Sequence, residues 1–164
     1  MKHLKTIAIV GAANKEAENI LKVLLRANCH LLLLASDQIE LRQISKVLKK
    51  EKPVAGISLI DCIRDGCWEA DVVVIAVPVE KEKEVAERVK EVVTQKIVIS
   101  MKIADTIPGI KLQQLLPFSK VVHASEQTFE DGRTGFILTA DKPETLQEAG
   151  ELLHSLNVDL SAAA

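Results

Sequence analysis

The feature that most restricts the fold of this chain is a regular exchange between two hydrophobic patterns. Short apolar runs alternate with stretches whose apolar positions recur every three or four residues. The run KTIAIV (5–10) ends at Gly11, and Ala17, Ile20, Leu21, Leu24 and Leu25 then fall at helical spacing. HLLLLA (30–35) has a helix-forming composition, but its shortness and its end at Ser36 and Asp37 predict a strand buried on both faces. Ile39, Leu41, Ile44, Val47 and Leu48 mark a second helix. AGISLI predicts a third strand, DCIRDGCWEA a short helix or helical loop, and DVVVIAVP (71–78) a fourth strand stopped by Pro78. A helix from about Lys81 to Val93 precedes the strand KIVIS. A loop through Pro108 and Gly109 leads to a short helix around Lys111 to Leu116. KVVH and TGFILT predict two further strands, PETLQEAGELLHSL a helix opened by Pro143, and VDL a short final strand. Such alternation predicts an α/β fold: a doubly wound, mainly parallel sheet in three αβα layers, formed by residues 1–164 as a single domain.

Composition narrows the function classes. The 21 basic and 23 acidic side chains are intermixed and leave a formal charge of -2, so no basic field draws in nucleic acid or an anionic membrane. Aromatic residues make up 2% of the chain, too few for a platform on which bases stack. No apolar run reaches membrane-spanning length, and MKHLKTIAIVG predicts a first strand and not a signal peptide. Three cysteines, Cys29, Cys62 and Cys67, form no CxxC pair, which fits reduced thiols and a cytoplasmic location. No His pair stands near Cys62 and Cys67, so no metal site is expected there.

In a doubly wound sheet the ligand sits beyond the carboxyl ends of the strands, beside strand one. A turn that receives a pyrophosphate there must curl tightly, expose its backbone and let the helix pack closely. GAANKEA (11–17) fails as GxGxxG, because Ala13 and Glu16 fall at the second and third glycine positions. Read as GxxGxxG it presents Gly11, Asn14 and Ala17: Asn tolerates positive φ, and Ala is small enough for close packing. Glu16 adds a carboxylate at the electropositive helix start, where it competes with a phosphate, and Lys15 beside it offsets that charge. The same residues also suit a plain strand-to-helix connection with an Asn cap and an acidic first turn. After strand two, Ser36 and Asp37 stand where an acidic residue takes ribose hydroxyls, which favours NAD over NADP; either residue also suits the N-cap of helix two.

Five segments carry a family resemblance: KTIAIVGAANKEAENILKVLLRANCH, EADVVVIAVPVEKEKEVAERV, QKIVIS, LQQLLPFSKVVHA and GFILTADKPETLQEAGELLHSL. In this order they resemble the nucleotide-binding domain of deazaflavin (coenzyme F-420) dependent NADP oxidoreductases and of the related pyrroline-5-carboxylate reductases. The resemblance implies a Rossmann domain that binds NAD(P). Its contacts would map to Gly11, Ala12, Ala13, Asn14 and Lys15, to Ser36 and Asp37, and to Val77 and Pro78. The chain departs from that pattern in three places. GAANKEA stands where the family has a turn like GGTGNLG, Ser36 or Asp37 where NADP-type members carry Arg, and HASEQ where the carboxylate reductases have a proline-asparagine pair. The reductases also add a helical dimerisation domain, whereas this sequence runs out at VDLSAAA.

His123, at the end of a predicted strand on the expected nicotinamide side, is the candidate catalytic group, with Ser125 and Glu126 as neighbours in a small polar cluster. Two functions follow as expectations. One is an NAD(P)-dependent oxidoreductase passing hydride to a second ligand near Met101, Lys102 and His123. The other is a non-catalytic nucleotide-sensing or protein-interaction module. The expected partners are a small-molecule dinucleotide and either a second copy or a separate chain, since a lone sheet domain covers an exposed edge by pairing.

Overall fold

A computed structural model describes residues 4–102 and 112–160. The strands are β1 (Lys5–Val10), β2 (Cys29–Leu34), β3 (Gly56–Leu59), β4 (Val72–Ile75), β5 (Ile97–Lys102), β6 (Lys120–Thr128) and β7 (Thr134–Thr139). The helices are α1 (Glu18–Leu24, preceded by a 3-10 turn over Lys15–Ala17), α2 (Gln38–Lys50), α3 (Ile63–Glu69), α4 (Val79–Val89), α5 (Leu112–Leu115) and α6 (Pro143–Ser155). The strands form one sheet in the order β3-β2-β1-β4-β5-β6-β7. All neighbours pair in parallel except β6 and β7, which are antiparallel.

Successive strand side chains point to opposite faces, so a sheet covered on both sides needs apolar residues at nearly every position. β1 and β2 show this directly. Ile7, Ile9, Leu31 and Leu33 pack on one face with Ile20 and Leu24 of α1, Leu41 of α2 and Leu153 of α6. Ala8, Val10, Leu32 and Leu34 pack on the other with Cys67 of α3, Val85 and Val89 of α4 and Leu112 of α5. The leucine run is therefore a strand despite its propensity, because burial on two faces outweighs helix preference.

Several boundaries differ from expectation. α4 begins at Val79 directly after Pro78, whose φ of -55° already suits a helix start, and it ends at Val89. β6 continues through ASEQT because β7 pairs with it as far as Thr128↔Thr134. VDL contributes a single parallel bridge, Phe136↔Leu160, and no strand. The loop through Pro108 and Gly109 and the final SAAA lie outside the described residues.

Candidate functional site

The strand order reverses at β1, between β2 and β4, and the carboxyl ends of these three strands meet in a cleft of about 290 Å³. The turn after β1 supplies its floor. Gly11 has φ of 85°, and a Cβ there would collide with the Ala76 carbonyl oxygen and crowd Asn14 Nδ2 at 2.8 Å. Only glycine meets both conditions.

Asn14 plays a different part from the one expected. Its φ is -84° and its backbone extended, so it does not stand in for a left-handed glycine. Its side chain does not cap the following turn either; Nδ2 donates to the Ala76 carbonyl at 3.1 Å and ties the turn to the end of β4. Gly11 N and Ala12 N both donate to the Leu34 carbonyl at 2.9 Å, and Asn14 N donates to Gly11 O. The turn is thus held by β2 and β4 together. Ala17 is fully buried where the helix meets the sheet, as its small size suggested.

Of the nine residues expected to contact a cofactor, Gly11, Ala13, Asn14, Ser36, Asp37, Val77 and Pro78 line this cleft. Ala12 and Lys15 do not. Ala12 is buried, and both line a separate groove between α1 and α2 with Leu21, Ile44 and Val47. Glu16 is half-buried in the 3-10 turn and is absent from the cleft lining, so its effect on a ligand there acts through the field at the helix start.

Asp37 is the N-cap of α2: its Oδ1 accepts from Ile39 N at 2.9 Å and Glu40 N at 3.1 Å. Glu40 lies one turn further along and also lines the cleft. The opposite wall is α4, which contributes Lys81, Glu84, Val85 and Arg88, with Ile63 from α3 at the outer end. None of these was expected from the sequence as a cleft residue. The signal was present for α4, because positions 81, 84, 85 and 88 recur at helical spacing and share one face.

His123 lies on β6 in register with Ser100 of β5 and does not line this cleft. Ser100 is fully buried, and its hydroxyl donates to Oε1 of the buried Glu82 at 2.5 Å. Valines 98 and 121, which are register partners two residues earlier, pack on the α4 face, so Ser100 and His123 share that face. Of the two neighbours expected for His123, Ser125 lies two residues along β6 and so on the same face. Glu126 points to the opposite face, where its Oε2 accepts from Asn19 Nδ2 at 2.8 Å. Met101 is buried and the Lys102 side chain lies outside what is described. No group of His, Cys, Asp and Glu suited to a metal ion occurs among the described residues.

No protein-family model and no curated protein matches the chain. Solved structures do. A pyrroline-5-carboxylate reductase from Coxiella burnetii aligns with a TM-score of 0.68 at 19% identity, covering 98% of this chain and 60% of that one. A candidate F-420-dependent NADP reductase from Arthrobacter aligns with a TM-score of 0.67 at 14% identity, covering 96% and 83%. A pyrroline carboxylate reductase from Plasmodium falciparum, solved with NADP bound, aligns with a TM-score of 0.59 at 16% identity, covering 98% and 58%. The chain therefore has the Rossmann fold, and its structural neighbours include both reductase groups that the residues resemble. It spans about three fifths of the Coxiella reductase.

Proposed function

We propose that this chain binds an NAD(P) dinucleotide in the cleft at the ends of β1, β2 and β4 and serves an oxidoreductase as its nucleotide-binding part. The observation that carries the reading is Gly11, whose positive φ and lack of a side chain keep the turn tight and close to Ala76 at the fold's switch point. The cleft residues fit the group. The turn supplies backbone at Gly11, Ala13 and Asn14, Ser36 supplies a hydroxyl, and Lys81 and Arg88 supply cations for a diphosphate. Bound there, the dinucleotide would supply a hydride, and the chain's task would be to hold and orient it. NAD is favoured over NADP, since Asp37, Glu40 and Glu84 outnumber the two cations around the cleft.

A second reading rests on size. At about 290 Å³ the cleft falls at the small end of ligand sites, which run from about 300 to 1,000 Å³. A mononucleotide would fill it, and the chain would then be a sensor without hydride chemistry. Calorimetric titration with NADH and adenosine monophosphate separates the two. Tighter binding of NADH supports the dinucleotide reading; equal affinity supports the mononucleotide one. The oxidoreductase reading places the hydride acceptor near Met101, Lys102 and His123, at the end of β5 and along β6. Pairing with a second copy or a separate chain, and a cytoplasmic location, belong to the same proposal; no helix among the described residues is long and apolar enough to cross a membrane.

A further inference from the structure

We infer that Glu82 and Ser100 are positioning residues for His123: a buried carboxylate on α4, bridged toward β6 by the Ser100 hydroxyl, favours a proton on the imidazole. Glu82 is the one Asp, Glu, Lys, Arg or His side chain that is buried among the described residues, at 4% exposure. It falls on the inner face of α4 with Val85, Ala86 and Val89, where helical spacing calls for an apolar residue. A carboxylate so placed costs stability unless it is hydrogen-bonded. Two features of the fold support its charge. Glu82 lies in the first turn of α4, at the electropositive end of the helix, and its Oε1 accepts from the fully buried Ser100 hydroxyl at 2.5 Å.

A serine hydroxyl has one proton to donate and two lone pairs that accept. Ser100 donates to Glu82, which leaves only lone pairs for its other neighbours. His123 is the register partner of Ser100 on β6 and shares its face, across a parallel ladder whose strands lie about 4.8 Å apart. A nearby carboxylate and an accepting oxygen both favour imidazolium over neutral imidazole. The groups grade outward, since Glu82 and Ser100 are buried and His123 is half-buried. Among the described residues the other elements beside His123 bring no rival charge. Ser125 on β6, Thr139 opposite on β7, and Gln113 and Gln114 on α5 are neutral. Lys120 and Glu126 of β6 turn to the opposite face, toward α6 and α1, and the other charges of α4 are exposed. A proton held on His123 stands beside the place where the oxidoreductase reading puts the hydride acceptor. That consequence rests on the reading; the coupling of Glu82 to His123 does not.

The test follows the His123 ring by NMR as pH is varied, in the whole chain without nucleotide, with His123→Gln used to identify the signal. Wild type is compared with Glu82→Gln and Glu80→Gln. Glutamine keeps the size of glutamate and an oxygen for the Ser100 bond, so the brace persists while the charge is removed, and a melting curve verifies the fold. Glu80 is exposed in the same turn of α4, and its replacement removes an equal charge from the helix start. Glu82→Gln is expected to lower the proton affinity of His123 about tenfold, the scale of a partly buried charge pair several ångströms apart. Glu80→Gln is expected to change it by less than about twofold, because solvent screens an exposed charge. An affinity unchanged in Glu82→Gln makes Glu82 a brace only and overturns the inference; so does an equal fall in both variants, which would assign the effect to the helix start. Should Glu82→Gln not fold, Glu82→Met, an apolar residue suited to that face, gives the same readings. No nucleotide enters the measurement, so its failure is distinct from failure of the dinucleotide reading, which the NADH titration decides.

Discussion

Gly11 is held in place by groups far away in sequence. Its φ of 85° strains any L side chain, and a Cβ would enter the Ala76 carbonyl and crowd the Asn14 amide. Gly11→Ala is expected to destabilise the fold by roughly 2 kcal/mol or more, read from the urea midpoint at unchanged slope. A shift worth less than about 0.5 kcal/mol would contradict the steric account, because surface substitutions away from such features stay within that range. The need for glycine at 11 was legible in the sequence, since a tight strand-to-helix turn asks for it. Asn14 was legible only as a residue out of pattern. Its partner, Ala76, lies 62 residues away, and no local preference reveals that bond. Sequence spacing put Asn14 in a glycine position; the folded chain uses it as a strut between β1 and β4.

At the scale of elements, Asp37 decides how α2 begins. Its two bonds satisfy N–H groups that a helix start otherwise leaves open. Asp37→Ala is expected to cost about 1 kcal/mol, while Asp37→Asn costs only a few tenths, measured by thermal melting. Equal losses in the two variants would show that charge, not the cap, is what matters. The element order was legible because burial on both faces leaves an unambiguous apolar run in β1, β2 and β4. β6 was legible only in part. Its polar half, ASEQT, has no strand pattern of its own and is extended by pairing with β7. Glu126 was read as part of a cluster with His123, but alternation along β6 sends it to α1. α4 was found as a helix, whereas its role as a cleft wall depends on how it packs against β1 and β4, which spacing alone does not reveal.

The whole molecule is a two-faced sheet, and its thiols report on both faces. Cys29 and Cys67 are buried and Cys62 is exposed. Burial pushes the Cys29 thiol up to about 11 and the Cys67 thiol up to about 12, from an ordinary 9.0, with Lys96 opposing the rise at Cys67. Folded values above the unfolded one mean that this stability is complete below about pH 9 and is lost as pH climbs toward 12. The melting temperature is expected to fall across that window. In the native protein at neutral pH, Cys62 is expected to be the one thiol that reacts rapidly with a disulfide reagent, and denaturant should release the other two. Rapid reaction of all three in the native state would contradict the packing of helices on both faces of the sheet. The same packing brings the ends of β1, β2 and β4 together around Gly11, which is why seven of the residues named from sequence share one cleft although three separate turns supply them. The central claim is that this cleft holds a dinucleotide, and calorimetric titration of the wild type with NADH and NADPH tests it most directly. Binding of NADH below millimolar Kd, tighter than NADPH, is the predicted result; no binding of either at millimolar concentration would contradict it.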